Sequence, residues 1–296
     1  MYSKPITYLI LFGGVFALSS SAIFVKIADA PSAVIAFYRL FIAALILLPF
    51  FLLRKESRFE LKNLQGSQWV RIMSAGAFLA LHYVLWFESL NFTSIASSTV
   101  LVSLQPLFSL ALDRFVNKKS IKKTALIGCV IALIGSFVIG FGDFKISGQY
   151  LLGDVLALVA AAVISGYFFV GEKVRKDVSA VTYSTLSYLF SSVILFIYIL
   201  LRNEPFVGHN SQTWLACLGL AVISTIGGQF VFNLLLKKVP ASAVTMSILG
   251  EPVGTCILAY LIFKESVSIQ QLVGIFVIMI GMTVYFFLPN LKRSAE

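Results

Sequence analysis

Ten apolar runs follow one another along the chain with little between them. Each has about the ~20 residues that a helix needs to cross a ~30 Å hydrocarbon core. They cover about 6–26, 32–53, 69–90, 93–112, 122–141, 150–171, 181–201, 213–236, 240–262 and 269–288. In lipid every backbone N–H and C=O must be satisfied within the segment, so runs of this length fold as helices. An all-α integral membrane protein of ten transmembrane helices is therefore expected. Only the connections 54–68 and 202–212 exceed nine residues, and loops this short make successive helices antiparallel neighbours. With 12% charged residues, the chain holds about half the roughly 25% of a soluble domain. The first run follows Lys4 but outlasts the roughly 7–15-residue core of a signal peptide, so it is read as a retained helix.

A formal charge of +10 invites a nucleic-acid partner, but its distribution argues otherwise. Of the 23 Lys and Arg residues, seventeen fall in the termini and even-numbered loops, such as Arg114, Lys118, Lys119, Lys122 and Lys123 after the fourth run. Lys26, Lys145, Arg202 and Lys264 lie on the other side. Cytoplasmic loops carry the positive excess, which puts both termini in the cytoplasm. Cys129, Cys217 and Cys256 all sit inside apolar runs with no CxxC or Cys/His spacing, and read as packing residues.

The chain repeats itself at an offset of 146 residues (252 − 106). Thr99 matches Thr245, Pro106 matches Pro252, Lys118 matches Lys264, Ser120 matches Ser266, Gly128 matches Gly274 and Ile134-Gly135 matches Ile280-Gly281. Earlier helices drift by a residue, as Ser32-Ala33-Val34 does against Ser179-Ala180-Val181. A five-span repeat is odd, so the second copy starts from the opposite face: an inverted repeat, with halves 1–145 and 146–296. Gly128 and Gly135, like Gly274 and Gly281, are seven apart and share a helix face. The fifth and tenth helices therefore read as closely packed scaffold.

Two stretches break the apolar pattern at matching places: Leu104-Gln105-Pro106-Leu107 and Gly250-Glu251-Pro252-Val253. Each proline lies about 12 residues into its run, ~18 Å deep at ~1.5 Å per residue, from opposite faces. Proline removes a helical hydrogen bond, and paired interruptions in two halves point to a transporter's binding site or gate. The alternative is a pair of tolerated kinks. Glu251 in a low-dielectric place suits a proton-coupling carboxyl or a binder of a cationic group, or else a structural hydrogen bond. Gln105 keeps polarity at the mate position without charge. Arg39, about 7 residues into its span, cannot easily lose its proton. It needs a carboxylate, carbonyls, water or an anionic substrate. His82 and Trp86, four apart, share a face that offers an aromatic wall to a flat metabolite, although Trp86 also suits an interfacial belt. His82 is deep enough for a proton relay or for plain packing. Gln229 and Asn233, also four apart, face the same cavity or bridge helices. Ser19-Ser20-Ser21 gives only a weak cavity signal.

No GxxxxGK[ST] is present, so no ATPase is built in. HExxH, GxSxG and His/Cys metal spacings are also missing. An enzyme is disfavoured, and neither a cofactor nor a metal is expected.

Ser89-Leu90-Asn91-Phe92-Thr93-Ser94, Leu104-Gln105-Pro106-Leu107-Phe108, Gly250-Glu251-Pro252-Val253, Phe263-Lys264-Glu265 and Tyr38-Arg39-Leu40 with Ala43-Ala44, in this order, resemble the drug/metabolite transporter superfamily, EamA type. The likeness spans nearly the whole chain, with one departure: Lys118-Lys119 where many members carry an acid. It implies a multi-pass carrier of the bacterial inner membrane that moves amino acids and related metabolites, drugs or sugars, often outward. The cavity is then expected among helices 1, 3, 4, 6, 8 and 9. The resulting expectation is a secondary transporter working by alternating access, hinged near Pro106 and Pro252, with a small-molecule substrate and the bilayer as its partners. Ten helices around one pseudo-symmetric cavity suffice for a monomer. The alternative is a lipid-handling protein, a flippase subunit or an enzyme on a lipid-linked substrate.

Overall fold

The computed structural model describes residues 4–93, 95–140, 148–264 and 268–288. Their regular structure is helical throughout. The first half contains α1 (Lys4–Ile27), α2 (Ser32–Leu53), α3 (Lys55–Asn63), α4 (Gly66–Ser89), α5 (Ile95–Val102), α6 (Gln105–Phe115) and α7 (Lys123–Gly140). The second contains α8 (Gly148–Val174), α9 (Ala180–Arg202), α10 (Ser211–Gly219), a π-helix (Leu220–Phe230), α11 (Val231–Leu235), α12 (Ala241–Ile248), α13 (Glu251–Phe263) and α14 (Ile269–Phe286). Among the described residues, 8 helical stretches are long and apolar enough to cross a membrane, and Lys123–Ile139 is a shorter apolar helix. The chain is a multi-pass membrane protein.

The run expected as one span over 93–112 is instead two short helices, α5 and α6. Its mate over 240–262 divides in the same way into α12 and α13. Proline sits in the first turn of both α6 and α13, where its missing N–H has no helical partner to lose. The break is the same in both copies. Leu104 and Gly250 take φ/ψ of −70/−4° and −75/−9°. Leu104 N donates to Leu101 O and Gly250 N to Ser247 O; Leu107 N donates to Leu104 O and Val253 N to Gly250 O. Every partner is offset by 146. So are Lys118 and Lys264, both in the left-handed region at φ 53° and 57°. The repeat is thus carried by the backbone as well as by the sequence.

Two further features depart from the periodicity. The eighth apolar run is π-helical over the eleven residues Leu220–Phe230, a geometry whose hydrogen bonds run to i+5 and widen the helix. The connection 54–68 holds α3, whose Ser57 is buried. The Glu60 carboxylate of α3 accepts from Ser179 N (2.7 Å) and Ser179 Oγ (2.8 Å), so α3 is tied to the start of α9.

Packing between the halves follows the repeat. α2 packs on α9 and α7 on α14, each against its own mate; α4 against α8 is mirrored by the π-helix against α1, and α6 against α8 by α13 against α1. The α7–α14 seam is glycine against backbone. An added Cβ would stand 2.6 Å from Tyr285 N at Gly128, 2.7 Å from Gly274 O at Gly135, and 2.4 Å from Ala132 N at Gly281. Small residues here let two backbones meet, as membrane helices do where packing rather than hydrophobicity drives association.

Candidate functional site

Where the two broken helices meet, the bundle holds a cavity of about 50 Å³. Gln105 and Glu251, the first residues of α6 and α13, both line it. A half-helix that starts inside the membrane presents its positive dipole end there. A carboxylate at this position of α13 is favourable for the same reason. Each first-turn carbonyl is pinned by a serine from the other half. Ser19 Oγ of α1 donates to Glu251 O at 3.1 Å and to Val15 O at 2.9 Å. Ser165 Oγ of α8 donates to Gln105 O at 2.8 Å and to Ala161 O at 2.8 Å. Ser19 and Ser165, like Val15 and Ala161, stand 146 apart, so the two pins are reciprocal.

Seven residues singled out in the sequence line this one cavity: Glu251, Gln105, His82, Trp86, Arg39, Gln229 and, from the weak serine signal, Ser21. Arg39, 1% exposed, is held by neutral groups. Its Nη1 donates to Ser21 Oγ (2.8 Å), its Nε donates to Thr225 Oγ1 (3.0 Å), and its Cζ lies 4.7 Å from the centroid of the Tyr83 ring. Thr225 in turn donates to Leu220 O at 2.9 Å, a bond spanning one π-turn. His82 Nδ1 lies 3.0 Å from Ala160 O. A carbonyl only accepts, so Nδ1 carries a proton. The His82 ring stacks on Trp86 at 5.8 Å and 22°, and Trp86 lines the cavity. The Glu251 carboxyl makes no hydrogen bond or ion pair among the described residues; it shares the cavity and an electrostatic interaction with Arg39. Several buried polar atoms here have no hydrogen-bond partner: Arg39 Nη2, Trp86 Nε1, Gln105 Oε1 and Gln229 Nε2.

Asn233 is the exception. It lies outside the cavity, with Nδ2 against Tyr167 Oη (2.6 Å), Ser184 Oγ (3.0 Å) and Tyr188 Oη (3.3 Å) in a fully buried network. The expected shared face with Gln229 assumed α-helical spacing, whereas the chain is π-helical through Phe230. Sequence reasoning also passed over Ser165, Tyr83 and Thr225. The signal that finds Ser165 is its 146-residue offset from Ser19; Tyr83 and Thr225 carry none.

At one end of the bundle a polar cluster ties both broken helices together. Lys119 Nζ lies 2.9 Å from Asp113 Oδ1 and 3.1 Å from Glu172 Oε1. Asp113 Oδ2 accepts from Ser242 Oγ, and Glu172 Oε2 from Ala241 N, each at 2.8 Å. The cluster thus joins the end of α6, the end of α8 and the start of α12. Burial alone pulls the Lys119 pKa down, but its hydrogen bonds to the two carboxylates outweigh this and raise it above the ordinary lysine value.

Comparison with known proteins finds two copies of the pattern of the EamA-like transporter family, over residues 5–141 and 151–287. Similar proteins include the uncharacterized transporter YwfM of Bacillus subtilis, 26% identical over 77% of this chain and 77% of that protein. An uncharacterized transporter of Archaeoglobus fulgidus is 23% identical over 90% and 91%. The riboflavin transporter ImpX of Fusobacterium nucleatum is 25% identical over 64% of this chain and 66% of its own length. One crystal structure superposes with a TM-score of 0.82 over 98% of this chain and all of the other, at 17% identity.

Proposed function

Since the chain belongs to the EamA-like transporter family, we propose that it is a secondary transporter of small metabolites that works by alternating access around the cavity at the two helix breaks. The observation that carries this reading is the convergence of Gln105 and Glu251, first residues of two half-helices from different halves, on one small cavity. Ten spans in a five-plus-five inverted repeat, with both termini cytoplasmic, supply the frame. A cavity of about 50 Å³ holds a few waters, whereas ligand pockets run from roughly 300 Å³ upward. Substrate access therefore requires the bundles to part. Under the charge assignment above, the Asp113–Lys119–Glu172 cluster closes the cytoplasmic end.

The breaks ahead of Pro106 and Pro252 are the hinges of this motion, and the Glu251 carboxyl is the coupling group. Substrates such as amino acids or drug-like compounds, moved outward, fit the family. The name of ImpX adds riboflavin, a flat heteroaromatic for the His82–Trp86 wall. None of the relatives reported above is named for lipid handling.

Uptake of a labelled panel of amino acids, drug-like compounds and riboflavin into proteoliposomes, with and without a pH gradient, tests the reading on wild type and Glu251→Gln. Gradient-driven flux that the variant loses is expected. Equal, gradient-independent flux in both would leave a facilitator and remove Glu251 from coupling. No flux of any compound would take the transport reading down.

A further inference from the structure

We infer that Arg39 anchors a negatively charged group on the transported molecule, so that the cargo is an organic anion with a carboxylate as its simplest form. This deepens the transport reading and rests on it. Arg39 is buried, permanently charged and has no ion-pair partner among the described residues. Its fixed contacts are two neutral hydroxyls and an aromatic face. They supply dipoles only; the counter-charge in the cavity is the Glu251 carboxyl, which interacts with Arg39 electrostatically but makes no ion pair or hydrogen bond with it, and a buried cation without a direct partner is costly. Nη2, with two N–H groups, is unpartnered on a residue that lines the cavity. Trp86 Nε1 is a second unpartnered donor on the same lining. Both groups only donate, so what completes them is an acceptor. A carboxylate meets a guanidinium in matched, charge-assisted hydrogen bonds.

The repeat sharpens the point. With the offset at 146 to 147 in this helix, Arg39 corresponds to Thr185 or Leu186, both uncharged. The fold therefore closes around this position without a cation. The stacked His82–Trp86 pair beside it offers a flat wall to a planar body.

The test uses matched pairs that differ only in charge: indole-3-acetate and indole-3-acetamide, benzoate and benzamide, nicotinate and nicotinamide. Binding to the purified full-length protein is read by calorimetry, and flux by counterflow in proteoliposomes. At least one acid is expected to bind about tenfold or more tightly than its amide, the scale of one charge-assisted hydrogen bond. Arg39→Gln should abolish that preference, and Arg39→Lys should keep part of it. Monodisperse elution and helical circular dichroism establish that each variant is folded. If Arg39→Gln does not fold, the wild-type pairs and Arg39→Lys still decide. The inference is overturned if in no pair the acid outbinds its amide, or if folded Arg39→Gln keeps the preference. Acid binding without flux would sink the transport reading and leave the anion site; flux of amides equal to that of acids would do the reverse.

Discussion

At the scale of single residues, the sharpest finding is the reciprocal pair of serines. Ser19 and Ser165 each divide one hydroxyl proton between an i−4 carbonyl and the first-turn carbonyl of a half-helix in the other half. Hydrogen bonds in membrane proteins average about 0.6 kcal/mol. Ser19→Ala and Ser165→Ala should therefore each lower stability by roughly that much and by similar amounts, as read by thermal unfolding in detergent. A large effect at one and none at the other would contradict their equivalence. Lys119 lies outside the spans, and its linkage sign follows from its raised pKa. The charged lysine stabilises fully below its unfolded value of about 10.4, and this contribution is lost as pH rises through the higher folded value. The side chain is 45% exposed, so the effect is at most about 1 kcal/mol. The gap in unfolding temperature between wild type and Lys119→Met should stay level from about pH 6 to 9 and close above about 10.5.

At the scale of elements, the proposed hinge rests on the two breaks. Pro106 cannot donate to Val102 O, nor Pro252 to Ile248 O, and each chain restarts as a new helix at Gln105 and Glu251. Alanine at both positions returns the missing donors and favours continuous helices. We expect Pro106→Ala/Pro252→Ala to keep or raise the unfolding temperature while lowering flux by about tenfold or more, the cost of ~1.4 kcal/mol on the moving step. Unchanged flux would remove the hinge. These breaks were legible because proline stands at matching places in two apolar runs, and the glycine seam because its spacing is seven in both copies. The π-helix was not legible: Gly227-Gly228 is its only local mark, and tertiary contact with α1 decides the register. Of the two roles open to Asn233, cavity or bridge between helices, the structure shows the bridge, to α8 and α9. α3 was hidden because nine mostly polar residues beside long spans carry too weak a pattern. The neutral hydroxyls around Arg39 come from α1 and the π-helix, far apart in sequence, and no spacing rule links them.

At the scale of the whole molecule, the cavity-lining helices surround a centre, while α7 and α14 form a rigid seam outside it. An added methyl at Gly281 stands 2.4 Å from Ala132 N and 2.6 Å from Gly128 O, backbone atoms that cannot step aside. Gly281→Ala should therefore force the seam apart and cost about 1–3 kcal/mol, read as a drop in unfolding temperature. The mate of α7 is also the last helix of the described chain. During synthesis at ~5–20 residues per second, the glycine face of α7 waits on the order of ten seconds, bare to lipid, until α14 enters. The first half is thus a nascent client that cannot mature alone, and any quality-control protease that reads loose helix pairs has that interval in which to act. A chain stopped after Lys264 should be inserted and then degraded, and co-expression of residues 265–296 as a separate segment should prolong its life, as pulse–chase would show.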